Sequence, residues 1–235
     1  MASNSRAILF VHGFTGSPVS MLPWAEYAKS QGYEVCVPLL PGHGTTPADM
    51  NKSRWQQWYL AVETQYLRLR ESHEHVAVCA LSMGGALALR LAALKPVAAL
   101  ALVNPLIERP LFERIAIPIV SKFLPYQRAV GNDIKKPNVS EQAYDKTPLR
   151  AADSMLKLLK DVQSRLSDVT APLWLGHSPE DHVVNPANSL RILKEVGSSV
   201  AEEVILSNSF HVATLDFDAQ LIFEDSMKFI DSHWP

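Results

Sequence analysis

From Val76 to Gly85 the chain reads Val-Ala-Val-Cys-Ala-Leu-Ser-Met-Gly-Gly, and an Ala/Leu-rich pattern with helical spacing begins at Ala86. A short apolar run stopped by a serine and two glycines, with a helix following at once, reads as a strand, a sharp turn and a helix. In so tight a turn a serine stands clear of the strand end, where a base can reach its hydroxyl and a carbonyl can approach it. The residues two before and two after the serine must then be small, as Ala80 and Gly84 are. The pattern fits the nucleophile elbow G-x-S-x-G, with alanine at the first glycine position. An ordinary strand-to-helix turn is the bland alternative, and the rest of the chain has to decide.

Taken in order, the chain alternates strands and helices. Arg6–Val11 is an apolar strand, and Ser17 caps a helix that has Pro18 at its first position and Gly32 closing it at Gln31. Tyr33–Val37 is the next strand, and Pro41-Gly42-His43-Gly44 is a loop dense in backbone punctuation. Ser53 and Gln56 form a capping box for a helix with the stripe Trp55, Trp58/Tyr59, Val62, Tyr66 and Leu69, in which both tryptophans read as core. Further strands fall at Val97–Val103, Pro172–His177 and Glu202–Leu206, with helices from Thr147-Pro148, from about Pro186 and at the carboxyl terminus.

This alternation implies a parallel, doubly wound sheet, because parallel neighbours need crossover connections. Each polar motif follows a strand, and ligands bind at that edge of an open α/β sheet. From Pro105 to Lys146 prolines and scattered charges surround Leu111, Phe112, Ile115, Ile117 and Ile119, and the stretch is longer than a crossover needs. It reads as a cap inserted over the sheet's carboxyl edge; the alternative is an extra helix packed on the side. The expected organisation is a first core part over 1–104, the cap over 105–146 with Leu111, Phe112 and Ile115 as its pocket wall, and a second core part over 147–235.

Composition excludes several functions. With 22 Lys and Arg against 24 Asp and Glu, the 235 residues leave a formal charge of −2, no footprint for nucleic acid. No apolar run has membrane length and none near the amino terminus resembles a signal-peptide core, so a cytoplasmic protein without an integral membrane segment is expected. Cys36 and Cys79 fall in strands with a third strand between them, too far apart for a disulfide, and read as buried thiols. His73 and His75 lack carboxylate or cysteine support and read as a solvated loop, so neither metal nor cofactor is expected.

A serine hydroxyl needs a base within hydrogen-bond reach, and the base needs a carboxylate to fix its tautomer. After separate strands come Ser178-Pro-Glu-Asp181-His182 and Asn208-Ser-Phe-His211, which gives the order Ser82, Asp181, His211. Serine, acid, histidine is one of three common orders among serine hydrolases. Glu180 competes with Asp181, which is preferred because it opens Asp-x-x-x-Asn-Pro ahead of the next helix. His43 and His182 also lie in edge loops, but neither follows the last strand. His12 reads as a turn-stabilising residue. Oxyanion donors would be the backbone N–H of Met83 and of Phe14.

His12-Gly13-Phe14-Thr15-Gly16, Pro41-Gly42-His43-Gly44, Leu81-Ser82-Met83-Gly84-Gly85, Asp181-x-x-x-Asn185-Pro186 and His211-Val212 stand in register across nearly the whole chain. In these the chain resembles the bacterial carboxylesterase and monoacylglycerol lipase group of the α/β-hydrolase superfamily. The resemblance implies an α/β-hydrolase fold: a mostly parallel sheet, helices on both faces and a small inserted cap. The chain departs from that pattern in starting directly at the strand before His12, so the amino-terminal antiparallel strands of the larger fold are expected to be absent and about six strands to remain. It also implies a lid-bearing esterase that works through an acyl-serine intermediate, with Ser82 as nucleophile, His211 as base, Asp181 as its orienter and Phe14 and Met83 as oxyanion donors. The expected substrate is a small acyl ester of short-to-medium chain, monoacylglycerols among them. Thioesters, amides and acyl transfer are open to the same triad, and a non-catalytic ligand-binding protein is the alternative of another class.

Overall fold

The computed structural model describes residues 6–129 and 131–235. Residues 1–5, which precede the first strand, and residue 130, inside the expected cap, lie outside that description.

Six strands make one parallel sheet in the order β2-β1-β3-β4-β7-β8: β1 (Ala7–Val11), β2 (Glu34–Cys36), β3 (Val76–Leu81), β4 (Leu100–Val103), β7 (Leu173–His177) and β8 (Ala201–Ile205). Every residue of β1, β3, β4 and β7 is buried. A parallel strand covered on both faces has this unbroken apolar character. Successive side chains go to opposite faces. Leu9, Val11, Val78 and Ala80 join one core with α3 (Trp55–Arg70), α4 (Met83–Leu94) and α6 (Leu149–Gln163). Ile8, Phe10, Ala77 and Cys79 join the other with α1 (Leu22–Ser30) and α8 (Ala219–Ser232). The remaining α-helices among the described residues are α2 (Pro47–Met50), α5 (Leu111–Val120) and α7 (Ala187–Glu195). This is the doubly wound α/β-hydrolase architecture.

The chain runs from β1 outward to β2 and then crosses to β3 on the far side of β1. The crevice between the carboxyl ends of β1 and β3 is therefore a topological switch point, where such sheets bind ligands. Ser82 follows β3 directly and His12 follows β1.

Two local expectations are corrected. The box that opens α3 lies one residue later than Ser53 and Gln56: the N–H of Arg54 donates to Gln57 Oε1 at 2.8 Å. Ser53 is engaged elsewhere, with its Oγ donating to the Met50 carbonyl at 2.8 Å and accepting from Trp58 Nε1 at 2.9 Å. Cys36 is half-buried, whereas Cys79 is fully buried, and burial pushes its thiol well above the ordinary range. Both are free, with β1 between their strands.

Between β4 and α6 the chain adds α5 and a short antiparallel pair, β5 (Tyr126–Arg128) with β6 (Lys146–Pro148). The pair closes the base of the insertion as a hairpin. No helix among the described residues is long and apolar enough to cross a membrane.

Candidate active site

Ser82 sits at φ 57°, ψ −122° between β3 and α4. A side-chain-bearing residue is held there only where the surroundings over-determine it. Three backbone bonds do so: Ser82 N–H donates to the Val103 carbonyl at 3.1 Å, and the Ser82 carbonyl accepts from Gly85 N–H at 2.9 Å and Leu106 N–H at 3.1 Å. Gly84 cannot be larger, because a Cβ on it would lie 2.2 Å from the Val11 carbonyl oxygen. Val11 is also paired with Ala80, so the elbow is wedged against the end of β1. A Cβ on Gly13 would fall 3.1 Å from Ser82 Cβ, which places the Gly13-Phe14 loop directly beside the serine. Met83 opens α4, so its N–H has no intrahelical partner.

His211 Nδ1 donates to Asp181 Oδ2 at 2.7 Å. The other Asp181 oxygen accepts the N–H groups of Val183 and Val184, each at 2.7 Å. The carboxylate is thus fixed on both oxygens, His211 is held as the Nδ1–H tautomer, and Nε2 remains available to accept a proton. Glu180 points elsewhere, paired with Lys135 at 3.1 Å. His182 is exposed and bonded to Asp133 at 2.9 Å.

Ser82 and His211 line one cavity of about 130 Å³ with Gly13, Phe14, Leu81, Leu106, Ile117, Ala152, Met155 and Val183. Its polar side carries Thr15, Asp133, Glu141 and the Arg109–Glu113 ion pair. The expected wall residues are not there. Leu111, Phe112 and Ile115 are 66%, 69% and 59% exposed on the outer side of α5, and Ile117 is the apolar residue of that helix that lines the cavity. α5 is apolar around most of its circumference, so periodicity could not say which side faces in.

His12 and His43 form a neutral buried pair behind the Phe14 loop, with ring centroids 5.0 Å apart. His12 Nδ1 donates to the Gly13 carbonyl at 2.9 Å and its Nε2 accepts from Leu40 N–H at 3.2 Å, so the ring braces the turn as expected. Burial holds His12 down to about 4 and His43 down to about 3, the latter with help from repulsion by His12. In the unfolded chain both titrate near the ordinary value of about 6.5. As pH falls below about 6.5 the unfolded state therefore takes up protons that the folded state refuses, and stability falls towards pH 4. Across that window the two rings together cost on the order of several kcal/mol. We expect the denaturant midpoint to fall between pH 7 and pH 5.5, above the titration of ordinary carboxylates, and the slope to be shallower in His43→Phe. A flat midpoint in wild type would contradict this account.

Three residues that matter here were not singled out from the sequence. Asn104, at φ 43° after β4, donates from Nδ2 to the His211 carbonyl at 2.7 Å and accepts Ser178 N–H at 2.8 Å on Oδ1, tying together the loops after β7 and β8. Asp133 accepts His211 N–H at 3.1 Å. Burial pushes the Glu141 carboxyl up, the neighbouring Asp133 adds to this, and the Asn132 N–H and His211 act against it. Asn-Pro after a strand was a visible turn signal at Asn104; the two acids carried none.

Among the described residues no group of three or more His, Cys, Asp or Glu could hold a metal. His73 is buried rather than solvated: its Nδ1 donates to the Leu69 carbonyl at 2.9 Å, and its Nε2 lies 3.4 Å from the Glu34 carboxylate.

The elbow, the sheet order and the histidine–carboxylate pair in edge loops define an α/β-hydrolase. Residues 2–218 match Hydrolase_4, described as serine aminopeptidase, S33, and the chain belongs to that family. It is 38% identical over 229 residues to a thermostable monoacylglycerol lipase of Bacillus sp. (strain H-257), covering 96% of this chain and 90% of that one. It is 25% identical over 227 residues to a carboxylesterase of Bacillus subtilis (strain 168), covering 96% and 92%. A solved structure from LipS and LipT, two metagenome-derived lipolytic enzymes, superposes with a TM-score of 0.94 at 36% identity over 97% of this chain and 94% of that one.

Proposed function

We propose that the protein is a serine esterase cleaving carboxylic esters of short-to-medium acyl chain, monoacylglycerols among them, under a cap formed by the insertion between β4 and α6. The observation that carries this reading is the 2.7 Å contact from His211 to Asp181 at the wall of the cavity that Ser82 lines. Ser82 Oγ attacks the ester carbonyl while His211 Nε2 takes its proton, and Asp181 stabilises the imidazolium that forms. The N–H groups of Phe14 and Met83 receive the developing oxyanion. Collapse of this intermediate breaks the bond to the alcohol oxygen, which leaves with the proton from His211. Water then attacks the acyl-serine by the same relay, releasing the acid and restoring Ser82.

The cavity's two sides suit an amphiphile. Leu106, Ile117, Met155 and Val183 offer an apolar wall to an acyl chain, while Thr15 and Glu141 offer acceptors to an alcohol that carries hydroxyls. The lipase and esterase relatives support ester over peptide chemistry, although the family's description names an aminopeptidase.

The test is a chain-length series of p-nitrophenyl esters and glycerol monoesters, with an aminoacyl p-nitroanilide and a thioester as controls. We expect an optimum at short-to-medium esters. Ile117→Trp, which fills the apolar wall, should shift the optimum to shorter chains. Changing Leu111, Phe112 or Ile115 to serine should leave turnover of a soluble short ester within about twofold, because these side chains lie outside the cavity. No ester turnover by folded wild type at any length would overturn the reading.

A further inference from the structure

Asp181 fixes the His211 ring but not the position of its backbone. That backbone makes two contacts of its own: the His211 carbonyl accepts from Asn104 at 2.7 Å, and the His211 N–H donates to Asp133 Oδ2 at 3.1 Å. Asp133 belongs to the insertion, 78 residues earlier in the chain. Its carboxylate also accepts His182 N–H at 3.2 Å and meets His182 Nδ1 at 2.9 Å, and its backbone carbonyl accepts Val212 N–H at 3.0 Å. The side chain is 12% exposed and lines the cavity.

The same segment is bound on both sides of Ser82. The N–H groups of Lys135 and Lys136 donate to the Asp216 carboxylate at 2.6 and 2.9 Å, and that carboxylate also accepts Phe210 N–H at 3.0 Å. At its other end Tyr144 N–H donates to the Thr15 carbonyl at 3.2 Å. The Tyr144 hydroxyl donates to the Gly42 carbonyl and accepts Thr45 N–H, both at 2.8 Å. One stretch of the insertion therefore ties the loops after β1, β2, β7 and β8 to one another.

We propose that Asp133 is a positioning residue for His211, and that the segment from Asp133 to Tyr144 is a fixed brace of the active site. The proposal rests on the reading of His211 as the base. A carboxylate on a backbone N–H is a charge-assisted hydrogen bond, stronger than a neutral one. Without it a buried N–H loses its partner and the His211 loop relaxes. Displacing a catalytic group by about 1 Å costs on the order of a hundredfold in rate. The loss falls on kcat, because Ser82, Phe14 and the apolar wall are untouched.

Asp133→Ala and Asp133→Asn separate the possibilities, since asparagine keeps an acceptor oxygen for His211 N–H. We expect Asp133→Ala to lower kcat for a short ester by about 10- to 100-fold with KM within about twofold, and Asp133→Asn to recover kcat to within about threefold of wild type. A loop tether with no bearing on the base would lower thermal stability and leave both constants alone at temperatures well below unfolding. Independently of turnover, the imidazole proton on the His211–Asp181 hydrogen bond gives a downfield NMR resonance, assigned by its absence in His211→Ala. It should broaden in Asp133→Ala and stay sharp in Asp133→Asn. Wild-type kcat together with a sharp resonance in Asp133→Ala would overturn the proposal. Wild type that turns over no ester would overturn the esterase reading alone, and the resonance would still decide on Asp133. If Asp133→Ala does not fold, Asp133→Ser, which leaves a small polar side chain, takes its place with the same expectations.

Discussion

Ser82→Ala and His211→Ala are each expected to lower kcat on a short ester by on the order of 10⁴- to 10⁶-fold while the protein stays folded. Neither side chain supports the core. Ser82 is held through its backbone, and His211 through its backbone contacts to Asn104 and Asp133. Both losses should be similar and the double variant little worse than either, because serine and histidine act as a unit. A serine-reactive phosphonate followed by intact-protein mass supplies the direct check. One adduct on wild type and none on either variant marks an activated serine. An adduct on Ser82→Ala would place the reactive group elsewhere and sink the assignment.

Gly84→Ala is expected to be the most damaging single methyl in the chain. Its Cβ would sit 2.2 Å from the Val11 carbonyl oxygen and 2.7 Å from that of His12. These are backbone atoms at the end of a central strand, so no side chain can swing aside. Overpacking a core costs about 1–3 kcal/mol and sometimes more, and this site lies at the upper end. If α4 shifts away to make room, Met83 moves from Phe14 and the two proposed oxyanion donors part. Losing one such donor costs on the order of 10²- to 10³-fold in rate. Thermal unfolding and kcat should therefore fall together in Gly84→Ala. A variant with wild-type melting and turnover would mean that the elbow is looser than its geometry implies.

The legible part of the sequence was the part built from local chemistry. Strands such as Ala7–Val11 and Leu173–His177 announced themselves as short apolar runs, and Ser82, Asp181 and His211 each stand directly after a strand or in the loop it feeds. The order of the strands then placed the serine beside the Gly13-Phe14 loop. What could not be read was set by contacts between distant segments. Asp133 reaches His211 across 78 residues and Asn104 reaches it across 107, and a lone polar residue in a loop carries no periodicity. Ile117, and not Leu111, Phe112 or Ile115, faces the cavity, because one apolar helix offers several sides and only the packing of the insertion selects which turns inward. Ser53 has the residue type of a cap, but its hydroxyl is committed to the preceding turn.

The sheet order also sets a timetable for synthesis. Chains emerge amino terminus first, at about 5–20 residues per second. β1, β2, β3 and β4 are contiguous neighbours in the sheet and can pair while β7 and β8 are still unmade. The serine elbow can thus form early, whereas its proposed base arrives only with His211, which follows the outermost strand in the chain. On the proposed mechanism Ser82 has no proton acceptor until then. A nascent chain halted before that strand is expected to hold the serine in its turn with no activated hydroxyl, with reactivity appearing only once His211 is made.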